Sequence, residues 1–100
     1  TAMALYTVLA NFTDQGIRNI KDTTHRAEAV EGAARKAGVT VKSIQWTLGA
    51  YDLICQFEAP DDATVTAFGL TIGMQGNVRT QTLRTYTRDE MNAILARLPA

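Results

Sequence analysis

The chain reads as a single α+β domain in which strands and helices alternate as β-α-β-β-α-β, with one more helix at the C-terminus. Three observations predict this class. Runs rich in β-branched and aromatic residues alternate with runs of helical period. Two strand-like runs, 39–48 and 51–58, meet at a tight turn, Gly49-Ala50. The last segment opens with Thr87 and Glu90 spaced as a capping box, followed by Met91, Ile94, Leu95 and Leu98 at i, i+3, i+4 and i+7.

The elements follow in order. Residues 4–12 (ALYTVLANF) form the first strand, and 13–21 a connection with Gly16 as its turn point. Residues 23–37 form a helix whose inner side is almost all alanine (Ala27, Ala33, Ala34, Ala37, with Val30), so it can approach a sheet closely. Asp22, Thr23 or Thr24 can cap its start, and Gly38 stands where a left-handed residue ends it. After the central hairpin, Asp61 caps a second helix over 61–73. That helix contains β-branched residues and Gly69, so its helicity must come from packing. Gly73 to Asn77 form a turn, 78–87 the fourth strand, and Pro99 ends the last helix. Right-handed crossovers around a central hairpin leave the ferredoxin-like split β-α-β sheet, antiparallel and four-stranded, with two helices on one face.

Composition bounds the function. Among 100 residues, ten basic and ten acidic side chains give a formal net charge of zero, so no charge excess draws the chain to nucleic acid or an anionic membrane. One cysteine, Cys55, allows no internal disulfide and no paired-cysteine metal clip, which fits a reducing cytoplasmic setting. No apolar run approaches a membrane span, and no signal peptide is expected. Thr1-Ala2 before Met3 read as an expression-vector remnant, which leaves 3–100 as the domain.

A two-residue loop at 49–50 pairs Leu48 with Tyr51 and sorts the hairpin into two faces. Ile44, Trp46, Leu48, Tyr51, Leu53, Cys55 and Phe57 fall on a core face. Ser43, Gln45, Thr47, Asp52, Ile54, Gln56 and Glu58 fall on an open, weakly charged face, with no lysine or arginine between Ser43 and Glu58. The first strand is apolar on both sides, since Leu5 and Leu9 are out of phase with Tyr6, Val8 and Phe12. A strand apolar on both sides is covered on both sides, and a second copy of the chain is the economical cover. A homodimer or larger homo-oligomer through the open sheet face is therefore expected.

Taken in order, Thr13-Asp14-Gln15-Gly16-Ile17-Arg18-Asn19-Ile20-Lys21, Ala50-Tyr51-Asp52, Ala59-Pro60-Asp61-Asp62 and Gly76-Asn77-Val78-Arg79-Thr80 resemble the GYD domain family from Met3 to Arg88. The resemblance implies a ferredoxin-like fold of the dimeric α/β-barrel type and implies no activity. The tripeptide that names the family is altered here, with Ala50 before Tyr51-Asp52 and Gly49 one step earlier. The Tyr-Asp pair is also similar to that of ligand-binding modules in feast/famine-type regulators. Cofactor-free monooxygenases and heme-handling enzymes share the barrel, but a shared fold does not settle function.

Asp52 is the leading candidate residue. It either binds a ligand or acts as a base, or it accepts backbone N–H groups from a neighbouring loop such as 13–21. Tyr51, Trp46 and His25 are weaker catalytic candidates. The aromatics also read as core residues, and the lone His25, in the first helical turn, as an inert surface residue. Arg18, Lys21 and Arg79, with Asp52, are candidate ligand contacts; with Arg84 they either surround an anion or are solvated surface charges. Cys55 on the core face is not expected to be reactive. No metal set, cofactor loop, nucleophile–base pair or nucleic-acid signature is present in the sequence. The expected function is a small-molecule-binding or interaction module with a cleft between sheet and first helix. The alternatives are a cofactor-independent oxygenase or isomerase, which would need an enclosed pocket with converging polar groups, and a purely structural assembly unit.

Overall fold

In the computed structural model residues 3–100 are described; Thr1 and Ala2, with their reading as a vector remnant, lie outside the described residues. Strands β1 (Ala4–Phe12), β2 (Thr40–Trp46), β3 (Leu53–Ala59) and β4 (Val78–Thr85) form one antiparallel sheet in the order β2-β3-β1-β4. The helices are α1 (Asp14–Arg18), α2 (Thr23–Ala37), α3 (Asp62–Met74) and α4 (Arg88–Leu95), with a 3-10 turn at Ile20–Asp22. This is the split β-α-β, ferredoxin-like arrangement expected from the sequence. Helices α2 and α3 cover one face of the sheet. Their Ala34, Val65 and Phe68 join Tyr6, Val8, Cys55 and Phe57 in the core, where Phe57 and Phe68 meet edge to face at 5.5 Å.

Local chemistry places three helix ends where the sequence put them, while α4 stops at Leu95, short of the Pro99 expected to end it. Asp61 accepts from Thr64 N at 2.8 Å. Gly38 closes α2 at φ 77°. Thr87 and Glu90 form both bonds of the capping box. At the start of α2, Asp22 holds the cap position without a side-chain bond. Gly16 is not a turn point. It lies buried inside α1, where a Cβ would sit 2.1 Å from the Asn77 carbonyl oxygen. That approach lets Thr13 and Gln15 bond the 75–77 backbone and fasten the end of β1 to the start of β4.

The central hairpin keeps the expected register from Ser43 to Trp46, but its loop is longer than expected and its far end is shifted. Trp46 pairs with Leu53, and Thr47 N still donates to Asp52 O at 2.8 Å, so the loop spans residues 48–51 rather than 49–50. Gly49 turns it at φ 127°. Leu48, in that loop, is therefore fully exposed, and Trp46 at the last rung is 44% exposed. A β-bulge at Lys42 shifts the pairing of Thr40 and Val41 by one residue. Lys42 then reaches Glu58 at 3.5 Å, giving the open face a cation that the simple register had excluded. Within α2, Ala34 is buried as expected, whereas Ala37 is exposed.

Two core groups hold their protons tightly. Burial pushes the Cys55 thiol up to about 11. Burial, reinforced by the hydrogen bond to Asp62, raises Tyr6 to about 12. Both values lie above those of the unfolded chain, so their contribution to stability is complete below about pH 9 and is lost as pH rises through 11 and 12. Urea unfolding between pH 8 and 11 is expected to show this loss, and Cys55→Ala to flatten its first part. A variant with the same alkaline slope as the parent would refute the thiol's share.

Two glycines give opposite expectations. Gly16→Ala is expected to cost about 1–3 kcal/mol, because the added methyl meets backbone rather than a yielding side chain. Gly69→Ala, in mid-helix with nothing within 4 Å, is expected to gain about 0.5–1 kcal/mol from helix propensity. Urea midpoints of both variants check the pair.

Candidate functional site

The helix-covered side of the sheet is not solidly packed. A cavity of about 350 Å³ lies between the sheet, α2 and the C-terminal part of α3. Its walls are mainly apolar, with Ala10, Ile44 and Leu53 from the sheet, Ala27 and Ala33 from α2, and Ile72 from α3; Thr71, Gln75 and Thr80 also line it. The alanine side of α2 was expected to bring that helix close to the sheet. Its short side chains instead leave the space open.

One end of the cavity is polar. Thr23, Arg26 and Asn77 line it. The Arg26 guanidinium donates to Asn19 O at 2.6 Å and Gly16 O at 3.3 Å and lies 5.9 Å from the Phe12 ring centre. Two of its five N–H groups are thereby engaged. Thr23 Oγ1 accepts from Trp46 Nε1 at 3.0 Å, which leaves the hydroxyl proton free to donate. Arg26 was missed in the sequence because it resembles any surface charge of a helix. The signal available was its position next to Ala27, at the head of the alanine stripe.

The residues singled out from the sequence lie elsewhere. Asp52 Oδ2 accepts from Phe12 N at 2.8 Å, while Asp52 N donates to Ala10 O at 2.9 Å. Its carboxylate thus holds the last N–H of β1, one residue short of the expected 13–21 connection. Tyr51 is half-buried, and its hydroxyl donates to Gln81 Oε1 at 3.2 Å. Gln81 pairs with Leu9, which alternates with buried Val8 and Ala10, so Tyr51 reaches over the open face and not into the core. Trp46 caps the rim through Thr23, and His25 is exposed on α2.

Arg18, Lys21 and Arg79 are exposed, the first two on the segment after β1 and the third at the start of β4. Arg84 is at the far end of β4, where it stacks on Tyr86 at 4.5 Å and Tyr6 at 5.6 Å and pairs with Glu90 at 3.4 Å. It does not share a site with Arg79. None of these basic residues, nor Asp52, Tyr51, Trp46 or His25, lines the cavity. Cys55 does, as a protonated thiol. Among the described residues no cluster of three or more His, Cys, Asp or Glu side chains is placed to hold a metal ion.

The Asp52 geometry is that of a structural clamp. Asp52→Ala is expected to cost about 1–2 kcal/mol by leaving the Phe12 N–H without its acceptor, and Asp52→Asn, which keeps an oxygen there, less than half as much. Equal urea midpoints for Asp52→Ala and the parent would overturn this role.

Similar proteins agree with the architecture. The chain is 34% identical over 82 residues to the glutamine synthetase and cystathionine beta-lyase binding protein of Thermus thermophilus, covering 81% of this chain and 86% of that protein. The crystal structure of MtbAldR superposes with a TM-score of 0.66 at 15% identity, over 88% of this chain and 56% of the other, so the chain spans little more than half of that protein. The solution structure of the C-terminal domain of the MgtC protein from Mycobacterium tuberculosis gives 0.59 at 15% identity, over 83% and 88%. At such identities the two structures speak for the fold alone. The GYD domain matches residues 6–95, nearly the full length. The chain belongs to the GYD domain family.

Proposed function

We propose that the protein is a homo-oligomeric interaction module that associates through the open face of its sheet. The observation that carries this reading is the apolar centre of that face. Leu5, Leu9 and Ile54 are half-buried by their neighbours alone, and Leu83 beside them is 40% exposed. Around them stand Thr7, Gln56 and Gln81, uncharged groups suited to a wet but ordered contact. Among the described residues no helix covers the face.

Helix α4 supports the same reading. It has hardly any contact with the sheet or the other helices, and its Met91 and Leu95, with Leu98 just beyond its end, are each more than 40% exposed. Its apolar stripe is correct for a packed helix, yet within one chain most of that stripe stays exposed. The radius of gyration, 15.1 Å, exceeds the ~13 Å of a compact chain of this length. A second copy would bury both surfaces, as in the dimeric α/β-barrel type that the family resemblance implies.

The Thermus thermophilus relative is named for binding glutamine synthetase and cystathionine beta-lyase. These two enzymes are the first heterologous partners to test, with Arg18, Lys21 and Arg79 as candidate contacts for an acidic surface. The oxygenase or isomerase alternative draws less support, because its candidate residues Tyr51, Asp52, Trp46 and His25 are all outside the cavity wall. Among the described residues no helix is long and apolar enough to cross a membrane.

Light scattering at micromolar concentration is expected to return a mass of two or more chains. Leu9→Glu, placed on the face that is open in the single chain, is expected to reduce it to one chain with the circular dichroism of the parent retained. A monomeric parent protein would overturn the proposal.

A further inference from the structure

The cavity on the helix side has a chemical polarity that the open sheet face does not share. We propose that it is a binding site for a small apolar carboxylate, an aromatic or branched-chain acid. The hydrocarbon part would lie between Ala10, Leu53, Ala27 and Ala33, and the carboxylate would face Arg26.

Size and lining support an organic ligand. About 350 Å³ lies within the range of small-molecule sites, roughly 300–1,000 Å³. Water is a poor occupant of the apolar end, because it finds too few polar partners there. Left empty, that end forfeits contacts on every wall. The space exists because three facing positions carry methyl groups, at Ala10, Ala27 and Ala33, where larger apolar residues would have filled it.

Charge selects the class of ligand. Among the described residues Arg26 is the only charged one in the cavity lining, and no carboxylate accompanies it there. Its two recorded bonds go to backbone carbonyls of the 16–19 segment, which hold the guanidinium in place without neutralising it. The Thr23 hydroxyl and the Asn77 side-chain amide stand at the same end with protons to donate, since Asn77 Oδ1 is already taken by Gln15 Nε2 at 3.0 Å. Donors and a fixed positive charge at one end, with a lining that is otherwise mainly hydrocarbon apart from Thr71, Gln75 and Thr80, match an amphiphilic anion. The site is on the opposite side of the sheet from the proposed assembly surface, so the two readings stand or fall separately.

Naphthalene-2-carboxylate and naphthalene-2-methanol, which share a body and differ in the head group, test the proposal by isothermal titration. The parent protein is expected to bind the carboxylate about tenfold more tightly than the alcohol, the difference one charge-assisted hydrogen bond supplies. Arg26→Gln is expected to bring that ratio close to one and Arg26→Lys to restore part of it. The ratio is independent of any general loss of stability, because both compounds are measured on the same variant. Ala33→Leu, which fills the cavity, is expected to abolish binding of both; if it does not fold, Ala27→Leu replaces it. Absence of saturable binding to the parent, an unchanged ratio in Arg26→Gln, or undiminished binding in the filled variant would each overturn the proposal. Light scattering on the same samples reports the assembly state separately.

Discussion

The pairing of β1 on both edges is the constraint on which the rest of this structure depends. β1 bonds β3 on one side and β4 on the other, so it joins the N-terminal and C-terminal halves of the chain. Its alternation then decides both faces of the sheet. Tyr6, Val8 and Ala10 point to the helices, while Leu5 and Leu9 point away. A one-residue slip would expose Tyr6 and Val8 and place Thr7 and Asn11 in the core. Both ends of the strand are fastened against such a slip. Asp52, Thr13 and Gln15 tie down the Phe12 end, and Arg84 and Thr85 bond the Leu5 carbonyl at the other.

The side chains β1 sends toward the helices become smaller along the strand, from Tyr6 through Val8 to Ala10, and this taper explains why the core is uneven. At the tyrosine end the space is filled. The Tyr6 ring packs in the cluster that includes Phe57, Val65 and Phe68, and its hydroxyl donates to Asp62 Oδ1 at 2.5 Å. At the alanine end the partners are Leu53 and Thr80, and α2 answers with Ala27. Small side chains meeting small side chains across a rigid sheet cannot fill the gap, because the helix axis is already held by the packing of Ala34 and Val30 further along. The cavity is thus a consequence of residue sizes on two elements rather than of a loop that failed to close.

That distinction governs what was legible in the sequence. Periodicity and capping act locally, so the four strands, the three longer helices, the caps at Asp61 and Thr87 and the stop at Gly38 could be read directly. The register of the hairpin could be read only in part. Polar–apolar alternation is correct from Ser43 to Trp46, but the bulge at Lys42 and the longer loop at 48–51 depend on twist and on cover from α2, neither of which is written in the pattern. Trp46 illustrates the limit. It has the composition of a core residue, yet it pairs at the last rung of an edge strand, stays 44% exposed and bonds the hydroxyl of Thr23 at the very start of α2. The alanine stripe was visible, but whether it means close approach or empty space is set by what faces it across the sheet.

Asp52 gives the sharpest case of a polar residue whose purpose is architectural. Phe12 is the last residue of β1, and Leu53, the first of β3, is already paired with Ala10. Beyond that pair the backbone ladder has run out, and the Phe12 N–H would face the end of the sheet without a partner. A side-chain oxygen one residue before β3 reaches that N–H and adds a rung that the backbone cannot supply. An acid serves better than a longer or uncharged side chain, because a charged acceptor strengthens the bond and the short stem fixes its position. Tyr51 next to it then has to leave in the opposite direction, over Leu9 to Gln81. The Tyr-Asp pair therefore couples two tasks at one turn: Asp52 extends the sheet, and Tyr51 shapes the border of the open face.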